Sequence, residues 1–132
     1  MWIPPLLLLP LIVYNLAAFG WLGPDAASWT APVFSFDMVS GASWALTSGD
    51  LLLLLALVLL FVEVIKATRT GTQSIVDHGF SAVVFVVYLV EFLVVPAAAT
   101  SLFFACLAMS FIDLVAGFSV SIRAAGRDVN LG

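Results

Sequence analysis

Apolar residues run along this chain in four long blocks, at about 2–22, 50–67, 75–95 and 99–122, separated by shorter stretches that carry most of the polar side chains. A helix that crosses a bilayer needs about 20 predominantly apolar residues. The pattern therefore predicts an all-α transmembrane fold, a four-helix polytopic bundle forming a single membrane domain over 1–132. Met1-Trp2-Ile3 offers no positive charge of the kind that opens a signal peptide, so the first block reads as a true span. Pro4 and Pro5 suit a first helical turn, whereas Pro10 is expected to kink the span near Leu6 to Pro10. The second span is expected to start at Asp50, after the capping context Thr47-Ser48-Gly49. A short polar loop, Thr70 to Ser74, should fold spans two and three into an antiparallel hairpin. Pro96 closes the third span.

The stretch between the first two spans, about 23–49, has a different period. Phe34, Phe36 and Met38 alternate with Ser35 and Asp37, and beyond Ser40-Gly41 the residues Trp44 and Leu46 alternate with Ser43, Ala45 and Thr47. Period two on both sides of a turn signal predicts a small β-hairpin over about 33–47. A three-residue connection, Ser40 to Ala42, would set Met38 opposite Trp44 and Phe36 opposite Leu46. All five apolar side chains would then share one contact face, lying on the bundle or on the lipid surface.

Charge adds an orientation. The four basic residues fall in two places, Lys66/Arg69 and Arg123/Arg127, each just after an apolar block. By the positive-inside rule these ends are cytoplasmic, which puts both termini inside and the 23–49 loop outside. Trp21, Trp29 and Trp44 then suit an outer interfacial belt, with Trp2 at the inner one. Compactness points to a bacterial-type inner membrane, and four thin helices point to association with copies of the same chain or with a larger membrane complex. Only 9% of residues are charged and there is no basic tract, which removes nucleic acid as a partner. The single Cys106 excludes an intrachain disulfide and any cysteine-pair metal or redox motif. In outline, four spans with an ordered first outer loop resemble the claudin arrangement. That loop has no cysteine pair here, so no paracellular function is implied.

Two polar stripes carry the candidate chemistry. Along span three, Asp77, Ser81, Val84, Tyr88, Glu91 and Val95 recur at intervals of four and three, which keeps them on one helical face. Along span four, Cys106, Ser110, Asp113, Gly117 and Ser121 do the same. Both stripes should face protein, because a carboxyl or hydroxyl turned toward lipid tails finds no partner. At about 1.5 Å per residue, Asp113 lies about 13 to 15 Å from the inner end of its span, with Glu91 in the outer third and Glu63 in the inner third. The three acids would form a staircase with steps of roughly 7 to 8 Å, bridgeable by water, Tyr88 or Ser110. Lys66 is expected to snorkel at the interface beside Glu63, too shallow to neutralise Asp113, whose carboxyl would then be held as the neutral acid.

His78 is the only histidine and is expected to be a solvated interfacial residue. Ser81 stands three residues from it without a nucleophile elbow or a third orienting group, so no catalytic residues, cofactor or metal are assigned. Tyr14 and Asn15 read as packing residues of the first span. The pattern as a whole predicts a non-enzymatic integral membrane protein acting as a subunit or scaffold through its helix seams and outer hairpin. The competing reading is a proton-coupled transporter or ion-conducting oligomer that uses Glu63, Asp77, Ser81, Tyr88, Glu91, Ser110 and Asp113 as a relay.

Overall fold

The computed structural model describes residues 5–23, 28–66 and 72–131, with the side chains of 72–75, 120, 121 and 123–131 left aside. It is mostly helical. Helices α1 (Leu8–Ala18), α2 (Ser48–Lys66), α3 (Thr72–Val94) and α4 (Ser101–Leu131) are joined by a two-stranded sheet, β1 (Pro32–Asp37) and β2 (Ser43–Thr47), and by a 3-10 turn at Pro96–Ala98. Among the described residues, three stretches are long and apolar enough to cross a membrane: Ser48–Lys66, Val76–Val94 and Ser101–Ser119. The helix α4 packs against α3 and α2, and α1 lies against α2 and α4.

The first helix departs from the expected span over 2–22. Its 11 residues reach about 16 Å, roughly half the hydrocarbon thickness. Both ends have a local cause. At the start, a turn through Leu6 and Leu7 places Pro10 in the first helical turn, where its missing N–H leaves no orphan carbonyl, because Leu6 O accepts from Leu9 N at 3.0 Å instead. Pro10 therefore begins the helix and does not kink it. At the end, Gly20 takes a left-handed φ of 81°, Gly20 N bonds Ala17 O at 3.2 Å and Trp21 N bonds Leu16 O at 2.9 Å. This is a Schellman stop, and it ends the helix short of Leu22.

The hairpin forms in a register two residues away from the expected one. Phe36 pairs with Trp44 and Phe34 with Leu46, while Asp37 faces Ser43. The reason is Gly41, whose φ of 91° makes it the last residue of a three-residue loop, Val39 to Gly41. Met38 N then bonds Ala42 O at 2.8 Å and Gly41 N bonds Met38 O at 2.9 Å, and Ser43 Oγ donates to Asp37 Oδ1 at 3.2 Å. A shift of two preserves the pleat, so Phe34, Phe36, Met38, Trp44 and Leu46 still share one face. Phe34 sits edge-on to Trp44 with ring centroids 6.0 Å apart. The face is largely exposed, and only Leu46 among the five is half-buried.

Strand β2 passes directly into α2. Thr47 is the N-cap: its Oγ1 accepts from Asp50 N at 3.1 Å while Asp50 Oδ2 accepts from Thr47 N at 3.1 Å, a reciprocal capping box. The helix thus begins at Ser48, two residues before the expected start. Ser48 N and Gly49 N bond Ala31 O and Trp29 O, tying the preceding segment to the head of α2. The Trp29 ring stacks on Tyr14 at 5.2 Å with an interplanar angle of 11°. Helix α3 begins at Thr72, earlier than Ile75, and the loop residues 67–71 with Arg69 lie outside the described residues, as do Trp2 and Asp25. Helix α4 starts at Ser101, capped by Thr100 Oγ1, which accepts from Phe103 N at 3.1 Å, and continues past Arg123 to Leu131.

Between these elements lies an aromatic core. Phe103 is fully buried among the rings of Tyr14, Tyr88 and Phe92. Tyr14 donates to Ala97 O at 2.7 Å, so Thr100, whose Oγ1 stands 2.9 Å away, must donate to the phenol oxygen. Tyr88 donates to Leu7 O at 2.7 Å. These bonds anchor the short α1 to the α3–α4 pair.

Candidate functional site

The stripes on α3 and α4 face inward. Ser81, Val84 and Tyr88 are buried on α3, as are Cys106, Ser110, Asp113 and Gly117 on α4. Near the C-terminal end of α2, six side chains from three helices line one small cavity: Glu63 and Lys66 from α2, Asp77, His78 and Ser81 from α3, and Asp113 from α4. The space they enclose is about the size of one water molecule. Asp77 Oδ1 is an acceptor with no surface and no hydrogen-bond partner among the described residues.

Glu63 organises one wall. Its Oε1 accepts both the Lys66 ammonium at 3.0 Å and the Leu6 N–H at 2.7 Å. A single carboxylate oxygen thus holds the entry of α1 and the end of α2 together. Lys66 pairs with Glu63 as expected but does not snorkel outward. It folds back one turn onto Glu63 and is 91% buried, because an ammonium so close to a buried carboxylate is better paired than left at the rim. The premise that no cation reaches the surroundings of Asp113 is corrected by the same observation, since Lys66 and Asp113 line one cavity.

His78 is likewise buried and not a solvated interfacial residue. Its ring lies against Phe118, with centroids 6.2 Å apart, and over Gly117. A Cβ added at Gly117 would stand 2.6 Å from His78 Nδ1 and 2.8 Å from Cε1, closer than atoms pack. Gly117 is therefore the floor that lets the imidazole enter. Substituting Gly117→Ala is expected to push the ring aside and cost about 1 to 3 kcal/mol, read as a lowered unfolding midpoint in detergent together with a changed His78 imidazole resonance. An unchanged resonance would contradict this contact.

Glu91, the third acid of the expected staircase, stands apart. It lies about 15 Å along α3 from Ser81. Asn15 Nδ2 donates to Glu91 Oε1 at 3.0 Å and to Leu11 O at 2.9 Å, which fixes the carboxyl against α1. Glu91 Oε2 is buried without a hydrogen-bond partner among the described residues. Along α3, Val84 and Tyr88 lie between Ser81 and Glu91, and both are buried in one apolar core with Phe103, Cys106 and Leu107 of α4. The Tyr88 hydroxyl is already committed to Leu7 O. Ser110 is buried on α4 one turn before Asp113, outside the cavity lining.

The geometry thus gathers Glu63, Asp77, Ser81 and Asp113, and leaves out Tyr88, Glu91 and Ser110. Lys66, His78 and Asn15 were not among the candidates. Spacing carried a signal for two of them: Lys66 is three residues from Glu63, and His78 is three from Ser81, so each could share a helical face with a polar partner. Among the described residues, no three or more His, Cys, Asp or Glu side chains are arranged to hold a metal ion. No family model, curated protein or solved structure matches the chain.

Proposed function

We propose that this is a small, non-enzymatic integral membrane protein that works as a subunit or scaffold, associating with copies of itself or with a larger membrane complex. The cluster around Glu63 serves it as an intramembrane lock between α1, α2, α3 and α4. On this reading the bilayer is crossed by the three long helices and by the first segment, whose Leu6 is bonded to Glu63 near the inner end of α2 and whose Tyr14 is bonded to Ala97 at the outer turn. The hairpin then lies on the outer side and both termini are cytoplasmic, in a bacterial-type inner membrane. The apolar blocks and the confinement of all four cations to the ends of α2 and α4 support that placement.

The observation that carries the functional reading is the apolar plug between Glu91 and the cavity. A proton or ion relay needs acids linked by hydrogen bonds or ordered water at each step. Here Ser81 and Glu91 stand about 15 Å apart along α3 with the buried Val84 and Tyr88 between them, and the Tyr88 hydroxyl is bonded to a backbone carbonyl. Polar groups closed upon one another between helices hold a bundle together.

In proteoliposomes the protein is expected to give no flux driven by a pH gradient, and Asp113→Asn is expected to lower stability or association without changing that flux. A gradient-dependent flux abolished by Asp113→Asn would overturn the reading in favour of an ion-conducting oligomer. The mass of the protein extracted in mild detergent is the complementary test. A defined assembly heavier than the 14.0 kDa chain is expected, and a monomer in both micelle and bilayer would contradict the scaffold role.

A further inference from the structure

A groove of about 430 Å³ opens between the hairpin and the first half of α2. Leu53, Leu54 and Leu57 form its floor, Met109 of α4 closes one side, and Trp44 and Leu46 of β2 overhang it. Asp50 stands at one end. Position along α2 gives the groove a direction, because Asp50 to Leu57 descends about 10 Å from the helix N-terminus. An acid and an indole lie at the head, and only hydrocarbon lies below. Leu54 and Leu57 are about half exposed, so the floor is open to whatever surrounds the helix.

A polar head followed by an apolar floor, running down a helix long enough to cross a membrane, matches the polarity profile of one lipid leaflet. Tryptophan beside the headgroup level is its usual marker. Charge then selects among lipids. There is no Lys or Arg anywhere in residues 1–65, and the hairpin and the head of α2 carry the acids Asp37 and Asp50. An anionic headgroup would meet a carboxylate with no counter-cation, and a second copy of the chain would bring the same acidic rim against itself.

We propose that this groove is a lipid site, which seats an acyl chain of a zwitterionic phospholipid along Leu53, Leu54 and Leu57 and takes its primary ammonium headgroup beside Asp50. The proposal rests on the bilayer reading given above, and not on the scaffold role. The Thr47 N–H donates to Asp50 Oδ2 at 3.1 Å, which holds the carboxyl in place at the head of the groove.

The test is native mass spectrometry of the full chain, extracted in mild detergent from vesicles of equal phosphatidylethanolamine, phosphatidylcholine and phosphatidylglycerol. One retained phosphatidylethanolamine is expected, preferred about fivefold over phosphatidylglycerol, the ratio that one charge contact at a membrane surface supplies, and also over phosphatidylcholine, whose quaternary ammonium has the same charge but no N–H to donate to Asp50. Asp50→Asn keeps an oxygen for Thr47 N–H, so it should retain lipid but lose the preference. Leu57→Trp fills the floor and should lose the lipid, with the fold checked by circular dichroism. Equal retention of the three headgroups, retention unchanged by Leu57→Trp, or a dimer in place of bound lipid would overturn the site. A chain that fails to enter vesicles at all would overturn the bilayer reading beneath it.

Discussion

Replacing Glu63 by leucine is expected to lower the stability of the bundle by about 3 kcal/mol, measured by reversible unfolding in mixed micelles. The change removes one oxygen that two donors share. The Lys66 ammonium loses its carboxylate inside the protein, and the Leu6 N–H at the entry of α1 loses its acceptor. Taking away one member of a buried pair costs more than the pair contributes, because the remaining charge stays desolvated while it loses the carboxylate bonded to it at 3.0 Å. The double change Glu63→Leu with Lys66→Leu should therefore recover more than half of the loss. What remains measures the Leu6 bond, which neither leucine restores. If the single variant is as stable as the parent, the cluster is not a lock.

Phe103→Ala should have an effect of similar size, about 3 kcal/mol, by a different route. The ring is wholly buried where α1, α3 and α4 meet, with Tyr14 edge-on at 4.9 Å, Tyr88 at 5.4 Å and Phe92 stacked at 6.5 Å. In a bilayer the lipid tails are as apolar as the core, so the loss arises from packing and from the cavity left behind, not from exposure to water. Both tyrosines lean on this ring while holding backbone carbonyls of Ala97 and Leu7. The neighbouring Phe104→Ala is the control. That ring is 54% exposed, and its removal should change stability by less than about 1 kcal/mol. Equal effects at the two positions would mean that helix composition, and not interior packing, holds the fold.

Periodicity made much of this architecture readable. A helical period brought the α3 and α4 stripes to the interior, and alternation marked the hairpin and the face that its aromatic residues share. The errors came from interactions that a one-dimensional pattern does not contain. The hairpin register turned on whether Gly41 or Ala42 would end the three-residue loop in the left-handed region, a choice that moves the pairing by two while leaving hydropathy unchanged. The first span was overextended because Leu16 to Leu22 is apolar throughout, while the Schellman stop at Gly20 depends on backbone bonds.

The site was read less well for the same reason. Depth along separate helices suggested a staircase from Glu91 through Asp113 to Glu63, but depth says nothing about lateral position. Helix packing brings Asp113 and Glu63 to one cavity and places Tyr88 and Phe103 across the remaining path. Lys66 and His78 were assigned to the rim on the general cost of burying such groups. That cost falls when a partner waits inside, as Glu63 does for Lys66, or when a glycine opens the space, as Gly117 does for His78.

If α2, α3 and α4 each cross the bilayer, the hairpin and the C-terminal end of α4 lie on opposite sides. Labelling with a membrane-impermeant maleimide tests it directly, on a Cys106→Ala background carrying either Ser40→Cys or Arg127→Cys in sealed vesicles of known orientation. The account predicts that the residue-40 thiol reacts from the outer side only and the residue-127 thiol from the inner side only. Reaction of both from the same side would contradict it.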